Sequence, residues 1–178
     1  MDNRSPLLKT WYGVGFIAGC FDLIHPGYIV ALKEAKSVCD HLMVGLHSDP
    51  TIERPEKTKP VLSLEDRMAT LQAIRYIDSV VPYDKESDLL SILESDSPKI
   101  DVRFLGDDYR DRTDYTGYGL DIDIYCLSRD HGWSATKLRE KIKRSTLSKW
   151  SETQIQGWFD CCYTPSNKTQ DKNGGRDV

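Results

Sequence analysis

The chain has 178 residues, of which 39% are hydrophobic, enough to fill one core of single-domain size. Its net charge of −4 argues against non-specific nucleic-acid binding, while leaving room for a local basic pocket. The longest apolar stretches, Gly13–Cys20 and Leu42–Leu46, are far too short to span a bilayer, and Met1-Asp2-Asn3-Arg4 lacks a signal-peptide layout, so a cytoplasmic protein with no membrane partner is expected.

In chain order, residues 1–12 read as an N-terminal arm. Val14–Gly19 is a short apolar run ending in Gly19-Cys20-Phe21-Asp22, and Gly27–Cys39 then carries Ile29, Leu32, Ala35 and Val38 at helical spacing. Leu42–Leu46 is a second compact strand. A Pro- and Lys-containing loop, Ser48–Leu62, leads to a helix over Ser63–Tyr76, opened by Ser63 with Asp66 three residues on, the pattern of an N-cap with an acid in the first turn. Ser79–Val81, Val102–Leu105 and Ile122–Cys126 read as further strands, Glu86–Glu94 as a helix between the first two, and Ser134–Lys143 as the last helix. Such alternation predicts an α/β fold, a Rossmann-like doubly wound, mainly parallel five-stranded sheet with helices on both faces. Ligands of such sheets sit beyond the carboxyl ends of the strands, here the loops after Gly19, Leu46, Leu105 and Cys126.

The folded domain is assigned to 13–145. Residues 146–178 form a C-terminal extension in which Trp150, Trp158 and Phe159 could pack, and whose last ~15 residues have the polar composition of a mobile tail. The five cysteines, Cys20, Cys39, Cys126, Cys161 and Cys162, are odd in number and form no C-x-x-C pair, which predicts reduced thiols and no protein-held metal.

Two segments carry chemistry. The first is Gly19-Cys20-Phe21-Asp22-Leu23-Ile24-His25-Pro26-Gly27-Tyr28, a turn between the first strand and the first helix. Gly27 allows a phosphate to approach the backbone, the free amides of the helix start favour negative charge, and His25 can aim a donor at that charge. Tyr28, three residues on, falls on the same helix face. The second is Arg129-Asp130-His131-Gly132-Trp133-Ser134-Ala135-Thr136-Lys137-Leu138-Arg139, where Ser134 and Thr136 would cap a helix able to hold phosphates on its first amides.

The first segment resembles the cytidylyltransferase-like family, whose signature is G-x-F-D-x-x-H-x-G-H; every specified position matches except the last, where Tyr28 stands for histidine. The second is similar to the R-T-E-G-I-S-T-T-K-I-R segment of glycerol-3-phosphate cytidylyltransferases, with Arg129, Gly132, Ser134, Thr136, Lys137 and Arg139 in register. Ala73-Ile74-Arg75-Tyr76-Ile77-Asp78 looks like the family's T-I-R-Y-V-D, and Gly106-Asp107-Asp108-Tyr109 like its G-D-D-W.

The resemblance covers about residues 13–143 and implies a nucleotidyltransferase. It would use CTP and a phosphorylated small alcohol, glycerol 3-phosphate first among them, with Mg²⁺ as cofactor and release of pyrophosphate. Carried over by position, it implies catalytic roles for His25, Tyr28 and Arg129, and for Lys57 and Lys59 in the loop where such enzymes have lysines that reach the phosphates. The nucleotide would then meet Cys20, Phe21, Asp22 and Gly27 at the first segment and Ser134, Ala135 and Thr136 at the second. Arg75 is expected near the phosphates or acceptor, and Gly106, Asp108 and Arg129 near the base. Relatives commonly form dimers, so a homodimer is expected.

A phenol stays neutral near its reference pKa of ~10, so Tyr28 either donates one hydrogen bond in place of the histidine or leaves a nucleotide-binding protein that turns over roughly 10²- to 10³-fold more slowly. An adenylyltransferase acting on a sugar or flavin phosphate is the alternative enzyme. Gly45-Leu46-His47-Ser48-Asp49 also resembles the V-G-V-H-T-D of family members that use choline phosphate or ethanolamine phosphate.

Overall fold

The computed structural model describes residues 11–147. Cys161, Cys162, Trp150, Trp158, Phe159 and most of the arm lie outside them. The described residues up to Leu138 form one compact unit, and those from Arg139 belong to a second. The elements are β1 (Tyr12–Gly19), α1 (Pro26–Lys36), β2 (Cys39–His47), α2 (Leu64–Gln72), β3 (Ser79–Tyr83), α3 (Glu86–Leu93), β4 (Val102–Gly106), a short 3-10 turn at Asp107–Tyr109, β5 (Asp123–Leu127) and α4 (Ala135–Leu147). No described helix is long and apolar enough to cross a membrane.

The five strands form one parallel sheet in the order β3-β2-β1-β4-β5. The expected α/β sheet is therefore present, and its order reverses between β1 and β4, the switch point at which sheets of this kind open a crevice. One face packs Leu32 and Ala35 of α1 and Leu71 of α2 against Ile17, Val44 and Phe104. The other packs Leu89 and Leu93 of α3 against Phe16 and Met43. Covered on both faces, β2 reads as an unbroken apolar run from Leu42 to Leu46 rather than an alternating one. The edge strand β3 tolerates Pro82, which can donate nothing to the ladder.

Several boundaries differ from the sequence expectation. β1 begins at Tyr12, inside the expected arm, because the Tyr12 amide bonds the Val38 carbonyl (2.9 Å) and the strand pairs with Cys39 onward. α1 stops at Lys36, and Cys39, expected at its end, opens β2. α2 ends at Gln72 rather than Tyr76; its amphipathic sequence continues as successive turns at Ile74 and Ile77, and both side chains still pack on the core. Ser63 caps α2 as expected, its Oγ accepting from the Asp66 amide at 3.1 Å. Cys39 is buried, Cys20 and Cys126 are half-buried, and all three are free thiols.

Arg67, on α2, is 2% exposed and joins three chain segments. Its Nη1 donates to the carbonyls of Cys20 and His47 (both 2.8 Å), its Nη2 to that of Ser48 (2.6 Å), and its Nε to those of Leu62 and Ser63 (both 3.2 Å). The ends of β1 and β2 and the entry to α2 thus share one guanidinium. Asp22 makes the complementary tie: its Oδ1 accepts from the amides of Val61 (2.8 Å) and Leu62 (2.9 Å). Removing Arg67 strands several buried carbonyls, each costing about 1–3 kcal/mol, so Arg67→Ala is expected to lower unfolding stability by roughly 3–4 kcal/mol in denaturant titration.

Candidate active site

At the carboxyl ends of the strands lies a cavity of about 800 Å³ walled by residues of the first unit. Ala18 and Gly19, at the end of β1, line it with little or no side chain. One flank holds the two segments singled out in the sequence; the other holds Arg54, Glu86, Arg103 and Tyr115.

On the first flank, Phe21 takes φ 46°, the left-handed conformation that side chains seldom adopt, and stays 2% exposed. That turn sends the chain from β1 into α1, with His25 as its extended N-cap residue and Pro26 opening the helix. The His25 ring stacks on Tyr28 (4.4 Å between centroids, 17°), Tyr28 meets Phe21 (5.1 Å), and Trp133 lies beyond (6.3 Å from His25). His25 is 7% exposed and its Nδ1 is buried with no hydrogen-bond partner. Burial and then the nearby His131 hold its pKa below the usual histidine value, which favours the neutral ring.

Gly27 permits a close approach of the chain. A Cβ there would come within 2.5 Å of the His131 ring and 2.9 Å of the Trp133 Cβ, so its bare backbone lets the loop after β5 close over the start of α1. His131 accepts from the Trp133 amide (3.1 Å), and Ser134 Oγ accepts from the Lys137 amide (3.1 Å), capping α4. Gly106 plays the same spatial part at the end of β4: a Cβ would lie 2.4 Å from Asp108 Oδ1 and 2.6 Å from Arg129 Nε. Arg129 Nη2 stands 3.2 Å from Asp108 Oδ1, with both side chains about half exposed, so this ion pair contributes little stability and its cation is open to a ligand.

The structure brings Cys20, Phe21, His25, Gly27, Tyr28, Lys57, Gly106, Arg129, Ser134 and Ala135 to this one cavity. Five other expected site residues do not line it. Asp22 is committed to the loop amides above, Arg75 is exposed and donates to the Tyr76 hydroxyl (2.9 Å), and Lys59 points outward, 3.9 Å from Asp49. Thr136 is exposed on α4, and Asp108 reaches the site through Arg129. Among the described residues no cluster of three His, Cys, Asp or Glu could hold a metal ion.

The second flank carries no motif in the sequence. Arg54 comes from the loop after β2, Tyr83 and Glu86 from the end of β3 and start of α3, Arg103 from β4, and Tyr115 and Thr116 from the loop before β5. Read singly they look like ordinary surface or strand residues; the one anomaly visible in the sequence is an arginine between Val102 and Phe104 in an otherwise apolar strand.

The cytidylyltransferase-like family model matches residues 16–143. The chain is 36% identical over 131 residues to the bifunctional protein HldE of Campylobacter jejuni, covering 72% of this chain and 27% of that protein. It is 42% identical over 102 residues to HldE of Gluconacetobacter diazotrophicus, covering 54% of this chain and 20% of that one. The chain thus spans about a quarter of the length of these relatives. A lipopolysaccharide core biosynthesis protein from Thermoplasma volcanium superimposes with a TM-score of 0.53 at 24% identity, over 65% of this chain and 96% of its own, which supports the fold. With both signature segments facing one crevice at the switch point of the sheet, the chain belongs to the cytidylyltransferase-like family of nucleotidyltransferases.

Proposed function

We propose that the protein transfers a nucleotidyl group from a nucleoside triphosphate to a phosphorylated polyol or sugar. The observation that carries this reading is the meeting of His25, Tyr28, Arg129 and the α4 cap in one cavity of about 800 Å³, large enough for a triphosphate and a second small substrate. An oxygen of the acceptor's phosphate monoester attacks the α-phosphorus in line. A new phosphoanhydride bond forms, the bond to the β-phosphate bridging oxygen breaks, and pyrophosphate leaves with that electron pair. No side-chain nucleophile is required. The protein holds two mutually repelling anions together and stabilises charge growing on the α-phosphate and leaving group.

His25 and Tyr28 supply donors over the start of α1, the amides of α4 supply more, and Arg129 and Lys57 supply positive charge. Mg²⁺ fits this picture as an ion carried by the triphosphate oxygens. The carboxylate best placed at the first motif, Asp22, is already committed to two amides, and the residues facing the phosphates are neutral or cationic.

Charge supports one reading of the acceptor. Arg54 and Arg103 on the second flank disfavour a cationic head group, which weighs against choline and ethanolamine phosphates and for glycerol 3-phosphate or a sugar phosphate. CTP is the first reading for the nucleotide. Adenylyl transfer to a sugar phosphate is the second, favoured by the likeness to the HldE proteins.

Pyrophosphate release, with CTP and ATP crossed against glycerol 3-phosphate, a sugar phosphate, choline phosphate and ethanolamine phosphate, tests the reading. Turnover with an uncharged-alcohol or sugar phosphate is expected; preference for choline phosphate would refute the charge argument. If the Tyr28 hydroxyl contributes a transition-state bond, Tyr28→Phe should lower kcat roughly 10²- to 10³-fold, whereas Tyr28→His should stay close to the native rate.

The low pKa of free His25 gives a pH signature. A bound triphosphate favours the charged ring and raises that pKa, so binding takes up a proton between the two values and affinity strengthens as pH falls through this window. Calorimetry in buffers of different ionisation enthalpy should register that uptake in the native chain. It should be absent in His25→Gln.

A further inference from the structure

Arg103 sits mid-strand on β4, opposite Phe16 of β1, yet is only 6% exposed. A buried guanidinium is costly unless its charge and donors are met. Here they are met only in part. Nη1 donates to the Thr116 carbonyl, the guanidinium lies over the Tyr115 ring at 5.4 Å, and Nε is buried without a partner. Nη2 makes no hydrogen bond and the side chain no ion pair among the described residues.

The other arginines of this flank are compensated. Arg54 Nη2 pairs with Glu86 Oε1 at 2.7 Å, and the remaining Glu86 oxygen is engaged by the Thr116 hydroxyl. Arg112 forms a two-point contact with Asp114 at 2.8 and 2.9 Å. The flank therefore carries a surplus positive charge centred on Arg103, inside a walled cavity and away from bulk water. The 114–117 segment is folded onto it: a Cβ on Gly117, at φ 80°, would come within 3.2 Å of Arg103 Nη1. Arg103 and His25 line the same cavity, together with Ala18 and Gly19 at the end of β1, so ligands on the two flanks would share one space.

We propose that Arg103, assisted by Arg54, is the subsite for the acceptor's phosphate, fixing the nucleophilic monoester opposite the triphosphate on the His25 flank. A planar guanidinium presents paired donors that match two phosphate oxygens. The role expected of Arg75 near the acceptor thus passes to a residue of the cavity itself, since Arg75 lies outside it. The assignment rests on the nucleotidyl-transfer reading for the identity of its ligand, while the anion site itself can be tested without turnover.

The test is calorimetric titration of the full chain with inorganic phosphate, alone and with saturating CTP or ATP, beside thermal-shift assays with each nucleotide. The native chain should bind phosphate saturably. Arg103→Met should weaken that binding roughly ten- to hundredfold and leave nucleotide stabilisation intact, and Arg103→Lys should recover only part of it. In turnover assays the KM for the acceptor should rise in Arg103→Met while the KM for the nucleotide does not. If Arg103→Met does not fold, Arg54→Met, at the more exposed edge of the flank, should weaken phosphate binding in the same direction.

Unchanged phosphate affinity in the folded variants, no saturable phosphate binding by the native chain, or parallel loss of nucleotide and phosphate binding would each overturn the assignment. Arg103-dependent phosphate binding in a chain that no nucleotide stabilises would leave the subsite standing and defeat the nucleotidyl-transfer reading instead.

Discussion

A parallel sheet must end all its strands on one side, and the loops that leave it carry carbonyls that no further strand can satisfy. Arg67 resolves that constraint here. One guanidinium, held on α2 and almost wholly buried, takes the carbonyls of Cys20, His47 and Ser48 at the exits of β1 and β2, and those of Leu62 and Ser63 where α2 begins. Asp22 adds the opposite polarity by receiving the Val61 and Leu62 amides. The loop carrying Arg54 and Lys57 is tied at both ends to the turn that carries Phe21 and His25, so the two flanks of the cavity are built on one hydrogen-bonded frame.

Upon this frame the site is assembled by close approaches that only glycine allows. Gly27 admits His131 and Trp133 against the start of α1, and Gly106 admits the Arg129 and Asp108 pair over the end of β4. The outcome is a stack of Phe21, Tyr28, His25 and Trp133 in which a polar donor lies between aromatic rings. Desolvation lowers the pKa of the free histidine, and a bound anion would raise it. Tyr28 fits the stack as a ring and lines the cavity at the position where the family signature has histidine.

The two flanks divide the electrostatic work. On the first, His25, Tyr28 and the cap of α4 line the cavity with Arg129, a cation only loosely paired to Asp108. On the second, Arg54 and Arg112 have carboxylate partners and Arg103 forms no ion pair among the described residues, so the surplus charge lies where an anionic acceptor would need it. The proposed transfer would depend on holding like charges close together, which fixed donors on the two flanks of one cavity could do without a reactive side chain.

The sequence by itself determined the alternation of strands and helices and the parallel sheet, and it singled out the two segments that line the cavity, because each rests on local regularities: period, capping and turn residues within about ten positions of one another. Its errors were at edges, as at Tyr12 and Cys39, where strand pairing overrides a helical or loop-like pattern. It could not decide which charged residues share a cavity. Asp22, Arg75 and Lys59 look like site residues in their motifs, yet the fold commits Asp22 to a loop and leaves Arg75 and Lys59 outside the cavity. Arg67 and Arg103 carry no motif at all. Their importance comes from burial beside carbonyls and carboxylates contributed by segments tens of residues away, and desolvation and distance in three dimensions exist only once the chain has folded.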